Sequence, residues 1–80
     1  MYDDEFKKLI ERFIEAKEDK GLTNDQISEI SGIPASWIEG ILNGEIRHPR
    51  FYETMILAKV LEVSATEIDE ILGIILKENK

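Results

Sequence analysis

Residues 21–44 read GLTNDQISEISGIPASWIEGILNG. Thr23 is followed three residues later by Gln26, the pattern in which two side chains cap a helix start reciprocally. This predicts a short helix from about Asn24 to Ser31, with Ile27 and Ile30 turned inward. Gly32 breaks it, because the turn there needs a residue that tolerates positive φ. Pro34 lacks an N–H and so fits only at a helix start. It opens a second short helix, Ala35 to about Leu42, whose inward residues are Ile38, Ile41 and Leu42. Asn43-Gly44 ends that helix, with Gly44 as the C-cap residue. Two short helices joined by a glycine turn are the core of a helix-turn-helix. Their close crossing needs a small residue, a place Ser28 fills. The spacing Asn24, Ile27, Ser28, Gly32, Ile33, Ile38, Ile41 meets every requirement at once.

The flanking sequence continues in helical periods. Phe6, Leu9, Ile10, Phe13 and Ile14 recur at offsets of one helix face. Asp3, Asp4 and Glu5 suit the positive end of that first helix, and Lys17 and Lys20 the negative end. Gly21 can close it in the left-handed conformation. Lys7, Lys8 and Arg12 alternate with Glu5, Glu11 and Glu15, which reads as a solvated face with i,i+4 pairs. After the loop Glu45–Arg50, a fourth helix carries Phe51, Met55, Ala58 and Leu61 on one side. Ser64 and Glu67 form a second capping-box pattern. A C-terminal helix is expected over about 65–77, carrying Ile68, Ile71, Leu72, Ile74, Ile75 and Leu76. No run reads as a strand, and no repeat or linker divides the chain.

The 80 residues suit one domain with one modest core, residues 1–80. Hydrophobic residues make up 42%, which fits a folded chain rather than a disordered one. The chain has no cysteine, hence neither a disulfide nor a thiolate metal site. No apolar run approaches the roughly 20 residues that span a bilayer, and MYDDEFKK lacks the basic-then-apolar order of a signal peptide. A cytoplasmic location without membrane association is the expectation. The formal net charge of −7 opposes approach to phosphate at long range. One histidine and the absence of a glycine-rich phosphate loop provide no catalytic set. The reading is therefore of a non-enzyme with no cofactor, no metal and no small-molecule substrate.

Over about Leu9 to Ile71 the chain resembles the Cro/phage-repressor, or xenobiotic-response-element, family of helix-turn-helix domains. GLTNDQISEISGIPASWIEGILNG resembles that family's motif, residues 23–43. HPRFYETMILAKVLEVSATEI resembles its fourth helix and the start of its fifth. The resemblance implies an all-α, five-helix lambda-repressor-like domain. It also implies a repressor-like transcription regulator of phage or mobile-element type. The helix 35–42 would enter the major groove of double-stranded DNA.

Carried over position by position, the outward residues of that helix are Ala35, Ser36, Glu39, Gly40 and Asn43. They are short for base readout, which favours Arg, Lys, Asn and Gln. Asn24 stands where relatives carry Gln touching a phosphate. Trp37 is read as a residue of the core edge, or as one stacking on DNA or anchoring a partner. Arg47, His48 and Arg50 form the one basic cluster and would hold the DNA backbone. Two departures from the family stand out. Its common Arg–Glu ion pair is replaced by Lys17 and Leu42. Pro34 replaces a hydroxyl cap worth about 1 kcal/mol.

The C-terminal helix is apolar over more than one stripe, which predicts a homodimer through Ile71, Ile74, Ile75 and Leu76. The acidic balance and short outward side chains keep an alternative open. In it the motif is reused for protein–protein binding, as in an antirepressor or polymerase-binding factor.

Overall fold

The computed structural model describes residues 2–47 and 49–72, with side chains described from Glu5 onward except His48. Five helices follow one another: α1 (Tyr2–Lys20), α2 (Asn24–Ser31), α3 (Ala35–Leu42), α4 (Phe51–Leu61) and α5 (Ala65–Leu72). The described residues contain no strand.

α1 is the spine. Its Leu9, Phe13 and Ala16 recur at helical spacing and are buried. This stripe lets α1 pack against α3, α4 and α5, while α2 packs against α3 and α4. Ile27, Ile38, Ile41, Leu57 and Leu61 complete the innermost layer with Leu9 and Phe13. Each such large side chain contributes roughly 1.5–3 kcal/mol by leaving water.

The helix ends follow from local chemistry. At α1, Gly21 has φ 67. Its N–H donates to the Glu18 carbonyl at 3.1 Å and the Leu22 N–H donates to Lys17 at 3.1 Å, two bonds that satisfy carbonyls the helix leaves unpaired. α4 ends in the same two bonds, from Glu62 to Lys59 at 3.2 Å and from Val63 to Ala58 at 2.8 Å. There the left-handed residue is Glu62, with φ 61, although a side chain makes that conformation costly. Its carboxylate lies 2.9 Å from Lys20 Nζ, tying the ends of α4 and α1 together. At the start of α4 the Glu53 carboxylate, itself buried, accepts from the Arg50 N–H at 2.9 Å.

Three expectations change. Ile30, expected inward, is 64% exposed; α2 is short enough that Ile27 alone carries its buried contact. Phe51, expected on the inward side of α4, is 80% exposed, because it sits in the first turn, ahead of the core around Leu57, Ala58 and Leu61. Arg12 does not belong simply to a solvated face. It pairs with Glu15 at 3.5 Å and also donates to the Glu67 carboxylate of α5. Consequently the second capping box is half made. Ser64 Oγ accepts from the Glu67 N–H at 3.1 Å, while the Glu67 carboxylate serves Arg12. The Glu67 hydrogen bond raises the Arg12 pKa further above its ordinary value, against the opposing effect of desolvation.

α5 is described as far as Leu72, with Ile71 and Leu72 half-buried against the core. The expected continuation to about residue 77, including Ile74, Ile75 and Leu76, lies outside the described residues.

Arg12 gives a direct test of how α5 is held. Arg12→Gln removes the charge that spans α1 and α5 but leaves α2 and α3 untouched. Amide hydrogen exchange of the α5 residues should accelerate, with the amides of Ile38 and Ile41 unchanged. Equal acceleration everywhere would mean that the ion pair supports the whole fold rather than the docking of α5.

Candidate functional site

The segment around α2 and α3 is built mostly by backbone geometry. Thr23 Oγ1 accepts from the Gln26 N–H at 3.1 Å, and Gln26 Oε1 accepts from the Thr23 N–H at 2.8 Å. This reciprocal cap fixes where α2 begins. It ends at Gly32, φ 80, whose N–H donates to Ser28 at 2.8 Å. Ser31 Oγ then accepts from the Ile33 N–H at 3.1 Å, turning the chain, and Ile33 is buried as the anchor between the two helices. Pro34 precedes α3 with no side-chain cap. α3 is held from behind by Ile38 and Ile41, both essentially inaccessible. Ser28 is half-buried, as its place beside the crossing requires.

The outward surface of α3 is only partly as expected. Ser36, Glu39 and Asn43 are exposed, and Ala35 is half-buried. Gly40 is buried. Its helical position points outward, but the loop after α3 returns over it. The Ile46 N–H donates to the Gly40 carbonyl at 3.0 Å. A Cβ at Gly40 would lie 2.7 Å from Ile46 Cδ1. Ile46 therefore occupies the space that a reading side chain at position 40 would use, and Gly40 leaves the set of outward residues. Asn43 helps shape this loop, its Oδ1 accepting from the Glu45 N–H at 2.9 Å.

Trp37 is exposed at 40%, so its ring faces solvent more than the core-edge reading expects. Arg47 and Arg50 are exposed, and among the described residues neither makes a salt bridge. His48 lies outside the described residues. Asn24 is half-buried, and its Oδ1 is a buried acceptor without a hydrogen-bond partner in the protein. Within residues 34–50, Glu39 and Glu45 are balanced by Arg47 and Arg50, so this stretch is formally neutral in a chain of net charge −7.

Position-by-position reading of the sequence missed two features of this surface. Ile46 was hidden in a loop, with a glycine inside a helix as the one faint signal. Phe51 and Tyr52 are exposed at 80% and 53%, and together with Ile30 and Trp37 they place large apolar groups in solvent. Among the described residues there is no group of three or more acidic, His or Cys side chains placed to hold a metal ion. No helix of the described residues is long and apolar enough to cross a membrane. No family model, no curated protein and no solved structure matches the chain.

The covering of Gly40 by Ile46 can be measured as a coupling. Gly→Ala inside a helix ordinarily gains about 1 kcal/mol in backbone entropy. In the parent protein, Gly40→Ala must displace Ile46 and should gain little or lose stability. In an Ile46→Ala background the same change should recover most of that gain. A double-mutant cycle by urea unfolding reads the difference, and strict additivity would mean that Ile46 does not sit over Gly40.

Proposed function

We propose that this chain is a DNA-binding transcription regulator built on a helix-turn-helix, with α3 as the element presented to the major groove. The observation that carries the reading is the combination at α3. α2, capped at both ends, and α3 present an exposed polar face, with Arg47 and Arg50 exposed just beyond it and without a salt bridge among the described residues. Ser36, Glu39 and Asn43 would lie toward base edges, and Ala35 would permit close approach or contact with a thymine methyl. Glu39 would accept from cytosine N4 or repel phosphate. Arg47 and Arg50, with His48, would hold the backbone, and Asn24 would offer its amide to a phosphate beside α2. The similarity to Cro/phage-repressor domains supports this reading. The same reading includes a homodimer through Ile71 and the apolar residues that follow α5, since such regulators bind two half-sites. No cofactor and no enzymatic step belong to it.

A second reading is favoured by a separate observation. Ile30, Trp37, Phe51 and Tyr52 expose large apolar surface, and the chain is acidic overall. Such groups are frequent anchors in protein interfaces. On this reading the same helix pair serves as a protein-binding module.

An NMR amide titration with a mixed-sequence duplex at low salt separates the two, with Trp37 fluorescence followed in parallel. On the DNA reading, shifts fall on residues 24–26, 34–44 and 47–50 and reverse when salt is added. The absence of shifts at high duplex concentration transfers the assignment to a protein partner.

Few cations serve this contact, so the salt dependence should be shallow. With two arginines per protomer, log K against log salt should fall with a slope of about −4 for a dimer, from roughly −0.9 per phosphate neutralised. Arg47→Ala should reduce that slope by about 2, one phosphate contact being lost in each protomer. An unchanged slope removes Arg47 from the contact.

A further inference from the structure

Three exposed polar side chains follow one another along the outward face of α3. Ser36, Glu39 and Asn43 stand three and four residues apart, the spacing of one helix face. Asn43 comes after the last residue of α3 but keeps the helical register, since its N–H donates to the Glu39 carbonyl at 2.9 Å. We propose that Glu39 and Asn43 read two neighbouring C·G pairs by opposite means, Glu39 taking the cytosine of one and Asn43 the guanine of the other. The proposal rests on the DNA reading above and names the bases that this surface prefers.

The preference of Asn43 follows from what its side chain already does. An asparagine amide presents an acceptor oxygen and a nitrogen with two donors. On adenine it uses both atoms, giving to N7 and taking from N6. Here Oδ1 accepts from the Glu45 N–H at 2.9 Å, so the oxygen is turned back onto the loop. A backbone N–H can only donate, which identifies the side-chain atom facing it as oxygen. Nδ2 is then the atom directed at an outside partner, and it only donates. The paired contact with adenine needs both atoms on one base edge and is lost. Guanine offers two adjacent acceptors, O6 and N7, whereas thymine offers O4 beside a methyl group. An amide that gives without taking therefore favours guanine.

Glu39 has the reverse character. It is exposed and makes no salt bridge among the described residues, and its carboxylate only accepts. The major-groove donors are cytosine N4 and adenine N6, and adenine sets the acceptor N7 beside N6, where it repels a carboxylate. Cytosine carries no acceptor on its own edge. Ser36 donates or accepts freely and so sorts no base. Four residues of helix separate Glu39 from Asn43, a rise of about 6 Å, and base pairs stack at about 3.4 Å, so the two positions read fall within about two base-pair steps.

Selection of the full-length chain against a random-sequence duplex pool tests the assignment, with circular dichroism confirming the fold of each variant. The parent should enrich half-sites with two C·G pairs no more than about two steps apart, and replacing either by A·T should weaken binding roughly tenfold. Glu39→Gln supplies a donor beside the acceptor and should move the first pair to A·T while the second stays. Asn43→Asp keeps an oxygen for the Glu45 N–H but turns the outward atom into an acceptor. It should lose the guanine of the second pair while the first stays. A site unchanged by both substitutions overturns the proposal and leaves DNA binding standing. So does Glu39→Gln tightening all sequences alike, as relief of phosphate repulsion would do. Guanine retained by Asn43→Asp overturns the role of Asn43. Duplex binding without any enriched sequence overturns the proposal alone, and no duplex binding at low salt overturns the DNA reading with it.

Discussion

The fold depends on one seam, the burial of Leu9, Phe13 and Ala16 along α1. A chain of 80 residues without disulfides has little apolar area to spend on separate subcores. One long helix packing against α3, α4 and α5, with α2 docked on α3 and α4, is an economical arrangement, since the eight-residue helices need only one or two large inward side chains each. α2 offers Ile27, α3 offers Ile38 and Ile41, and α5 offers Ile68, while α4 supplies Leu57, Ala58 and Leu61. Helices of eight residues are unstable alone, so their position comes from this docking and from their caps. The caps decide direction: the Thr23–Gln26 box and Gly32 set the ends of α2, and buried Ile33 then sets the start of α3. The surface of α3 thus inherits its placement from residues that never face outward.

Most of the helical layout was legible in the sequence because its signals are local. Thr23 with Gln26, Gly21, Gly32 and Pro34 each act within a few residues of themselves, and the periodic stripe of α1 speaks for its own face. The misreadings have a common physical origin. Ile30 stands three residues from Ile27, so periodicity assigns both to one face. An eight-residue helix packed along one line nevertheless buries one and leaves the other at the rim. Phe51 has the inward period of α4 but sits one turn before the core begins. Arg12 has carboxylates at helical spacing, yet its closest partner is Glu67, 55 positions along the chain.

The candidate site was legible in its frame and less so in its face. Ser36, Glu39, Asn43, Arg47 and Arg50 are exposed where helical spacing and the loop place them. Gly40 is not, because a segment six residues later closes over it, a tertiary event that no helical wheel contains. The same event explains why glycine stands there. A side chain at that position would collide with Ile46, and the helix accepts the entropic cost of glycine so that the loop can lie close.

That close loop bears on the electrostatics. By drawing Ile46 onto α3, it fixes the start of the segment that carries Arg47 and leads to Arg50. Arg47 follows the anchored Ile46 directly. In a chain of net charge −7, long-range attraction to a polyanion is weak, so association with DNA, on the proposed reading, would rely on short-range complementarity. On the proposed DNA reading, two exposed guanidiniums beside the small outward groups Ala35 and Ser36 would suit that regime. Small groups permit close approach of the backbone, and close approach makes recognition sensitive to groove width and deformability as well as to base edges. On a protein partner the same surface would work by a different balance, with Trp37 and Phe51 supplying apolar area and the arginines supplying register. In both cases the order of causes is the same: a core seam on α1 places α3, and the loop that follows closes over Gly40 before the chain reaches Arg47.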